Sequence, residues 1–158
     1  MGLDMYLSAE MYIGSRDYNR NAINKNADNA NPQHKAILKL LKAEKYASTE
    51  EGISVHLPIG YWRKANAIHA WFVRELAKGV DECQNINVSR DDLKSLRDLC
   101  KKILKDKSKA SLLPPQGGFF FGSTEIDDSY FSDLTDTIAI CNRALTSPHD
   151  CFIYRASW

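Results

Sequence analysis

Four neighbouring side chains could together hold a small ligand. Trp62, Asn66 and His69 are spaced so that they share one face of the helix that apolar periodicity predicts for residues 61–78, with Arg63 one position around it. An indole can stack on a planar ligand, an amide and an imidazole can hydrogen-bond it, and a guanidinium can bind its phosphate or carboxylate. This pattern indicates a site for a nucleotide-like signal molecule.

The same residues could instead serve the fold. Amphipathic helices often carry polar residues at the boundary of their buried stripe, and buried polar groups need hydrogen-bond partners. In this interpretation Trp62 packs against the edge of a sheet, while Asn66 and His69 satisfy backbone groups of an Asn-rich loop. The sequence leaves both interpretations open.

Catalysis has one candidate residue, since His69 is the only general base that we name. Cys83 follows Asp81 and Glu82, whose negative charges would raise the pKa of its thiol and weaken it as a nucleophile. A Cys–His enzyme would therefore require folding to bring His69 close to a thiol. We expect a binding protein rather than an enzyme.

Cys141, His149 and Cys151 are the candidate metal ligands. His149 and Cys151 are two positions apart on a predicted strand, and Cys141 is near in sequence. Their spacing matches no established zinc pattern, so ordinary thiols are the alternative. With Cys83 and Cys100 included, the cysteines form no C-x-x-C pair, which is typical of reduced thiols in a cytosolic protein. The sequence indicates no cofactor.

The glycine-rich residues 117–124 precede a predicted helix and resemble a phosphate cradle. Glu125, Asp127 and Asp128 follow at once, and their carboxylates would repel a phosphate from the first helical turn. No lysine follows the glycines as a P-loop requires. We therefore interpret the segment as a helix cap with tight turns around three core phenylalanines at 119–121.

The charge balance limits the partners. Lys and Arg number 21 and Asp and Glu number 20, so the net charge of +1 excludes nucleic-acid binding through bulk charge. A lysine run at 101–109 and an acidic run at 125–136 could each dock a partner. Because no aromatic residue interrupts the lysines, they are typical of a solvated helix end, and we do not expect nucleic-acid binding.

Alternating apolar residues predict strands at both ends of the chain, at 3–7 and 152–158. Residues 52–58 and 85–88 predict two more strands between them. Four helices are also predicted. One occupies residues 61–78, after Pro58 and Gly60 end the preceding strand. The other three begin at capping residues: Asn31 with Pro32 for a helix to near Tyr46, Ser89 with Asp92, and Ser123 or Thr124 before a helix that Pro148 ends.

These elements predict an α+β fold with a small, mainly antiparallel sheet that includes both terminal strands and is covered by about four helices. The length of 158 residues suits a single domain, 1–158, with an irregular polar surface loop around 15–31. No secretion signal or membrane-length apolar run is present, so we expect a cytoplasmic protein with no membrane partner.

Three segments and the C-terminus carry a resemblance. They are MGLDMYL at 1–7, IGYWRKANAIHAWF at 59–72, LPPQGGFFFGSTE at 113–125 and the closing YRASW. Together they resemble a family of small proteins of phages, prophages and bacteria. Some members carry a phosphoglycerate kinase label, which the short chain and the missing nucleotide-binding signature contradict.

The resemblance implies a phage or prophage accessory protein in the host cytoplasm, a class in which inhibitors of bacterial defence are common. The leading hypothesis is that it binds a host defence protein without catalysis. The alternatives are a nucleotide-like ligand bound by Trp62, Arg63, Asn66 and His69, and a small enzyme using His69.

Overall fold

A four-stranded antiparallel sheet forms the centre of the fold in the computed structural model, which describes residues 2–16, 30–48 and 50–158. Its strands are β1 (Asp4–Ile13), β2 (Ile53–Arg63), β3 (Ile86–Ser89) and β4 (Cys151–Ser157). The α-helices of the described residues are α1 (Pro32–Leu40), α2 (Asn66–Leu76), α3 (Arg90–Lys105) and α4 (Asp128–Thr146), and a 3₁₀ helix spans Lys107–Leu112.

The two ends of the chain meet inside the sheet, whose strand order is β2-β1-β4-β3. β1 and β4 run antiparallel, with Met5 opposite Ala156 and Leu7 opposite Tyr154. These four side chains are buried. The prediction of an α+β fold with both terminal strands in an antiparallel sheet is confirmed.

Alternation along β3, β4 and residues 4–9 of β1 places every second side chain in the core. Met5, Leu7 and Ala9 of β1 form one apolar cluster with buried residues of β3, β4, α2, α3 and α4. The stripe of α3 is confirmed, since Leu93, Leu96, Cys100 and Ile103 are fully buried. Its predicted capping box at Ser89 is also present.

The chain divides into two compact units. The first comprises Met1–Glu10 and Leu57–Trp158, and it contains the apolar cluster. The second is Met11–His56, where His34 Nε2 donates to the Glu51 carbonyl over 2.9 Å. The single domain stays a prediction, and residues 17–29 of the predicted polar loop lie outside the described residues.

β2 does not end at Pro58 and Gly60, as the sequence predicted, but continues to Arg63. Gly60 is required for packing, because a Cβ there would lie 2.3 Å from Ile140 Cγ2. The glycine thus lets α4 approach the strand closely. As a result the next helix begins at Asn66, not at residue 61.

Two other helix ends differ from the prediction. α1 is capped by Asn31 as predicted, but it ends at Leu40 rather than near Tyr46. α4 begins after Asp127, whose carboxylate accepts from the Tyr130 amide over 3.0 Å, and not after Ser123 or Thr124. In the described part of the chain, no helix is both long and apolar enough to span a membrane.

Candidate functional site

Trp62 belongs to β2 rather than to α2, so it does not share a helical face with Asn66 and His69. Its side chain is buried, and its Nε1 donates to Thr137 Oγ1 over 2.9 Å. The indole contacts the rings of Phe72 and Tyr154. This indole therefore has no face free to stack on a ligand.

His69 lies in a buried polar network, with only 1% of its surface exposed. Its Nδ1 is 2.8 Å from the Tyr154 hydroxyl, and its Nε2 is 3.1 Å from the Asp81 carboxylate. An ionised carboxylate only accepts, so in a neutral imidazole Nε2 donates to Asp81 and Nδ1 accepts from Tyr154. Burial raises the pKa of Tyr154, which keeps that hydroxyl protonated. Both ring nitrogens are thus occupied inside the fold.

Asn66 hydrogen-bonds the backbone at the end of the phenylalanine run and just after it. Its Nδ2 donates to the Phe121 carbonyl over 3.1 Å and to the Ser123 carbonyl over 2.7 Å. The fold-serving interpretation expected partners in an Asn-rich loop, whereas the structure places them in residues 117–123. We name these residues the aromatic turn.

The aromatic turn is fixed to the core by Phe121, whose ring packs edge-on against His69 and Trp158. The Phe121 amide donates to the Gly118 carbonyl over 3.1 Å, and the Leu3 amide donates to the Phe120 carbonyl over the same distance. Glycine at 118 is necessary, because a Cβ there would lie 2.7 Å from the Phe121 ring. These contacts attach the turn to the core and to Leu3.

Phe119 at the tip of the aromatic turn is 95% exposed. The expectation of three core phenylalanines is therefore wrong: Phe121 is buried, Phe120 is half-buried and Phe119 projects outward. Phe119 touches Phe120 edge-on, with ring centroids 4.8 Å apart. Single exposed apolar residues are common, but Phe119 stands on a turn that its neighbours attach to the core, where it can enter a pocket on another protein.

Beside this turn lies a cleft of about 330 Å³, lined partly by Gly122 and Ser123. We name it the charged cleft. Its charged lining residues are Arg63, Lys64, Glu125, Asp127 and Asp133. Burial, together with the charges of Asp136 and Asp127, raises the pKa of Asp133 to about 6.

The charged cleft brings together two of the four predicted ligand-binding residues, Arg63 and Asn66. It does not include Trp62 or His69. The sequence did not predict Asp133 as a site residue. It belongs to an acidic run, and its residue type does not indicate that it is half-buried.

The three candidate metal ligands differ in their exposure to solvent. Cys141 is fully buried in the apolar cluster, where burial raises the pKa of its thiol to about 12. Cys151 is exposed at the start of β4, and His149 is half-buried. Across the described ranges, no group of three or more His, Cys, Asp and Glu side chains is arranged to hold a metal ion. All four cysteines are free thiols.

Comparison of the chain with models of known families, with curated proteins and with solved structures gave no match.

Proposed function

We propose that the protein is a phage or prophage accessory protein that inhibits a bacterial defence system by binding a host protein without catalysis. We further propose that Phe119 is the anchor of that interaction. The observation that carries the proposal is the exposure of Phe119, 95%, on a turn whose other contacts fix it to the core. The resemblance of the sequence to phage and prophage proteins supports the proposal that the partner is a host protein of a bacterial defence system.

Burying Phe119 in a partner would provide a favourable free energy of about 1.5–3 kcal/mol. Ordering a mobile loop would consume part of this gain. Here Asn66 and the Leu3 amide already hold the aromatic turn, so little further ordering is needed. A preorganised aromatic side chain of this kind is typical of binding hot spots.

Binding without catalysis is supported by the state of His69. A general base must reach the proton that it abstracts, directly or through one water molecule. The imidazole is buried and both of its nitrogens have partners in Tyr154 and Asp81. The enzyme hypothesis therefore gains no support from the geometry.

A nucleotide-like ligand is also not favoured. The indole that would stack on a base is buried under Phe72 and Tyr154. Glu125, Asp127 and Asp133 line the cleft that contains Arg63, and their charges oppose a phosphate. Both the nucleotide and the enzyme hypotheses stay predictions from the sequence.

The test is capture of a partner from bacterial lysate with tagged wild-type protein and two variants. Phe119→Ala removes the proposed anchor, and Tyr46→Ala removes another exposed aromatic side chain, 78% exposed, in the second unit. We expect the wild type and Tyr46→Ala to retain a stoichiometric protein that Phe119→Ala loses. Circular dichroism melts should show all three proteins equally folded.

Two results would contradict the proposal. If no stoichiometric partner is captured by the wild type, protein binding fails as the function. If Phe119→Ala captures the same protein equally well, the aromatic turn is not the binding element.

A further inference from the structure

We infer that the charged cleft binds a small zwitterion of amino-acid size, with its carboxylate beside Arg63 and Lys64 and its ammonium group beside Asp133. This site lies beyond the protein-binding function, because it needs neither Phe119 nor a partner protein. The cleft volume of about 330 Å³ is at the small end of the range of ligand cavities.

The cationic side of the cleft is formed at the end of β2. Arg63 is the last residue of the strand and Lys64 follows it, and both line the cleft. Among the described residues, neither cation forms an ion pair within 4 Å. A guanidinium and an ammonium group are therefore available together to bind a carboxylate.

The anionic side is formed by α4 and the residues before it. Asp127 is partly used, because it caps α4 by accepting from the Tyr130 amide. Asp133 is half-buried, and within the described part of the chain its carboxylate has no hydrogen bond or ion pair. Partial burial makes ionisation of this carboxylate costly, and an ammonium group from a ligand can replace water at its solvent-accessible oxygens.

Other ligand classes fit this lining less well. The cleft is lined by three carboxylates and two cations, so its net negative charge would repel a phosphate. A metal ion lacks its ligands, since in the described residues no group of three suitable side chains converges. A molecule with one positive and one negative group matches this cleft, where charges of both signs have no ion-pair partner among residues 2–16, 30–48 and 50–158.

The raised pKa of Asp133, about 6, adds a pH signature to this geometry. The charges that act on Asp133 are those of Asp136 in α4 and of Asp127, the N-cap of α4, while Glu125, Arg63 and Lys64 are the other charged residues that line the cleft. An ammonium group binds the ionised carboxylate. Affinity should therefore fall as the pH is lowered through about 6.

The experiment is calorimetric or NMR titration of the full-length chain with each standard amino acid, up to about 10 mM. Propionate and ethylamine serve as probes that carry only one of alanine's two charges. We expect at least one amino acid to bind, and both single-charge probes to bind at least about tenfold more weakly.

Variants locate the site. Asp133→Asn and Arg63→Gln should each weaken binding by about tenfold or more. Asp128→Asn is the matched control, because Asp128 is exposed in the first turn of α4 and does not line the cleft. Phe119→Ala should bind the amino acid as the wild type does, which separates this test from that of the protein partner.

The inference is overturned if no amino acid binds the wild type, or if a single-charge probe binds as tightly as the amino acid. It is also overturned if Asp133→Asn and Arg63→Gln bind like Asp128→Asn.

Discussion

The network around His69 and the tip of the aromatic turn use similar residue types for opposite purposes. In the network, His69 and Tyr154 are buried and each is bound by another group of the chain. At the tip, Phe119 is exposed and touches only its neighbour among the ring contacts of the described residues. An aromatic or ionisable residue therefore indicates function only when its contacts leave it available to another molecule.

The charged side chains repeat this contrast. On α3, Asp91 pairs with Lys94 and Arg97 with Asp98, at 2.8 Å each. Such exposed pairs contribute little to stability. In the charged cleft, by comparison, Arg63 and Asp133 have no ion-pair partner among the described residues. The unpaired groups are the ones from which a ligand can gain contacts.

The largest effect is expected at Phe121, the buried member of the aromatic turn. Phe121→Ala removes the ring that packs against His69 and Trp158 and should lower the free energy of unfolding by about 3–5 kcal/mol. Urea denaturation measures this change. A loss below about 1 kcal/mol would mean that Phe121 does not fix the turn to the core.

Tyr154→Phe should have the next largest effect. It leaves the buried Nδ1 of His69 without its donor, at a cost of about 1–3 kcal/mol. The matched control is Tyr61→Phe, which removes an exposed hydroxyl that donates to Asp4 and should change stability little. Equal stabilities of the two variants would argue against a network that contributes to the fold.

Asp133→Asn should stabilise the protein at neutral pH. The pKa of Asp133 is about 6 in the native state against 3.8 ordinarily, so the native state holds its proton more tightly than the unfolded state. The contribution of Asp133 to the free energy of unfolding therefore falls as the pH rises from about 4 to about 6.

Allowing for the partial exposure of Asp133, the gain in Asp133→Asn should be about 1 kcal/mol above pH 6 and should vanish below pH 4. Denaturation at both pH values measures it. A gain that is independent of pH would show that the carboxylate charge is not the cause.

The smallest effect on stability is expected at Phe119. Because its ring is 95% exposed, Phe119→Ala should change the free energy of unfolding by less than about 0.5 kcal/mol. Urea denaturation beside Phe121→Ala gives the direct comparison between two phenylalanines of one turn. Similar losses in the two variants would contradict the distinction between the buried Phe121 and the exposed Phe119.

The features that could be predicted from the sequence are those set by local chemistry. Alternation at residues 3–7 predicted β1, and the Ser89 and Asp92 pair predicted the start of α3. Each depends on residues a few positions apart in one element.

The features that could not be predicted depend on distant contacts. Gly60 has the local properties of a strand breaker, yet its small size is what allows Ile140 to pack against β2. Because β2 continues through Gly60, Trp62 lies in the strand and not in the predicted helix. The residues at 119–121 are identical in type, so only the path of the turn determines which of them is buried. Asp133 lies in an acidic run in which nothing local distinguishes it from Asp136.

Hydrogen–deuterium exchange on the captured complex tests the central claim most directly. Amides of the aromatic turn should exchange more slowly in the complex than in the free protein, while those of α2 should be unchanged, because His69 and its partners are already buried. Protection confined to other segments, with the aromatic turn exchanging as in the free protein, would contradict the account.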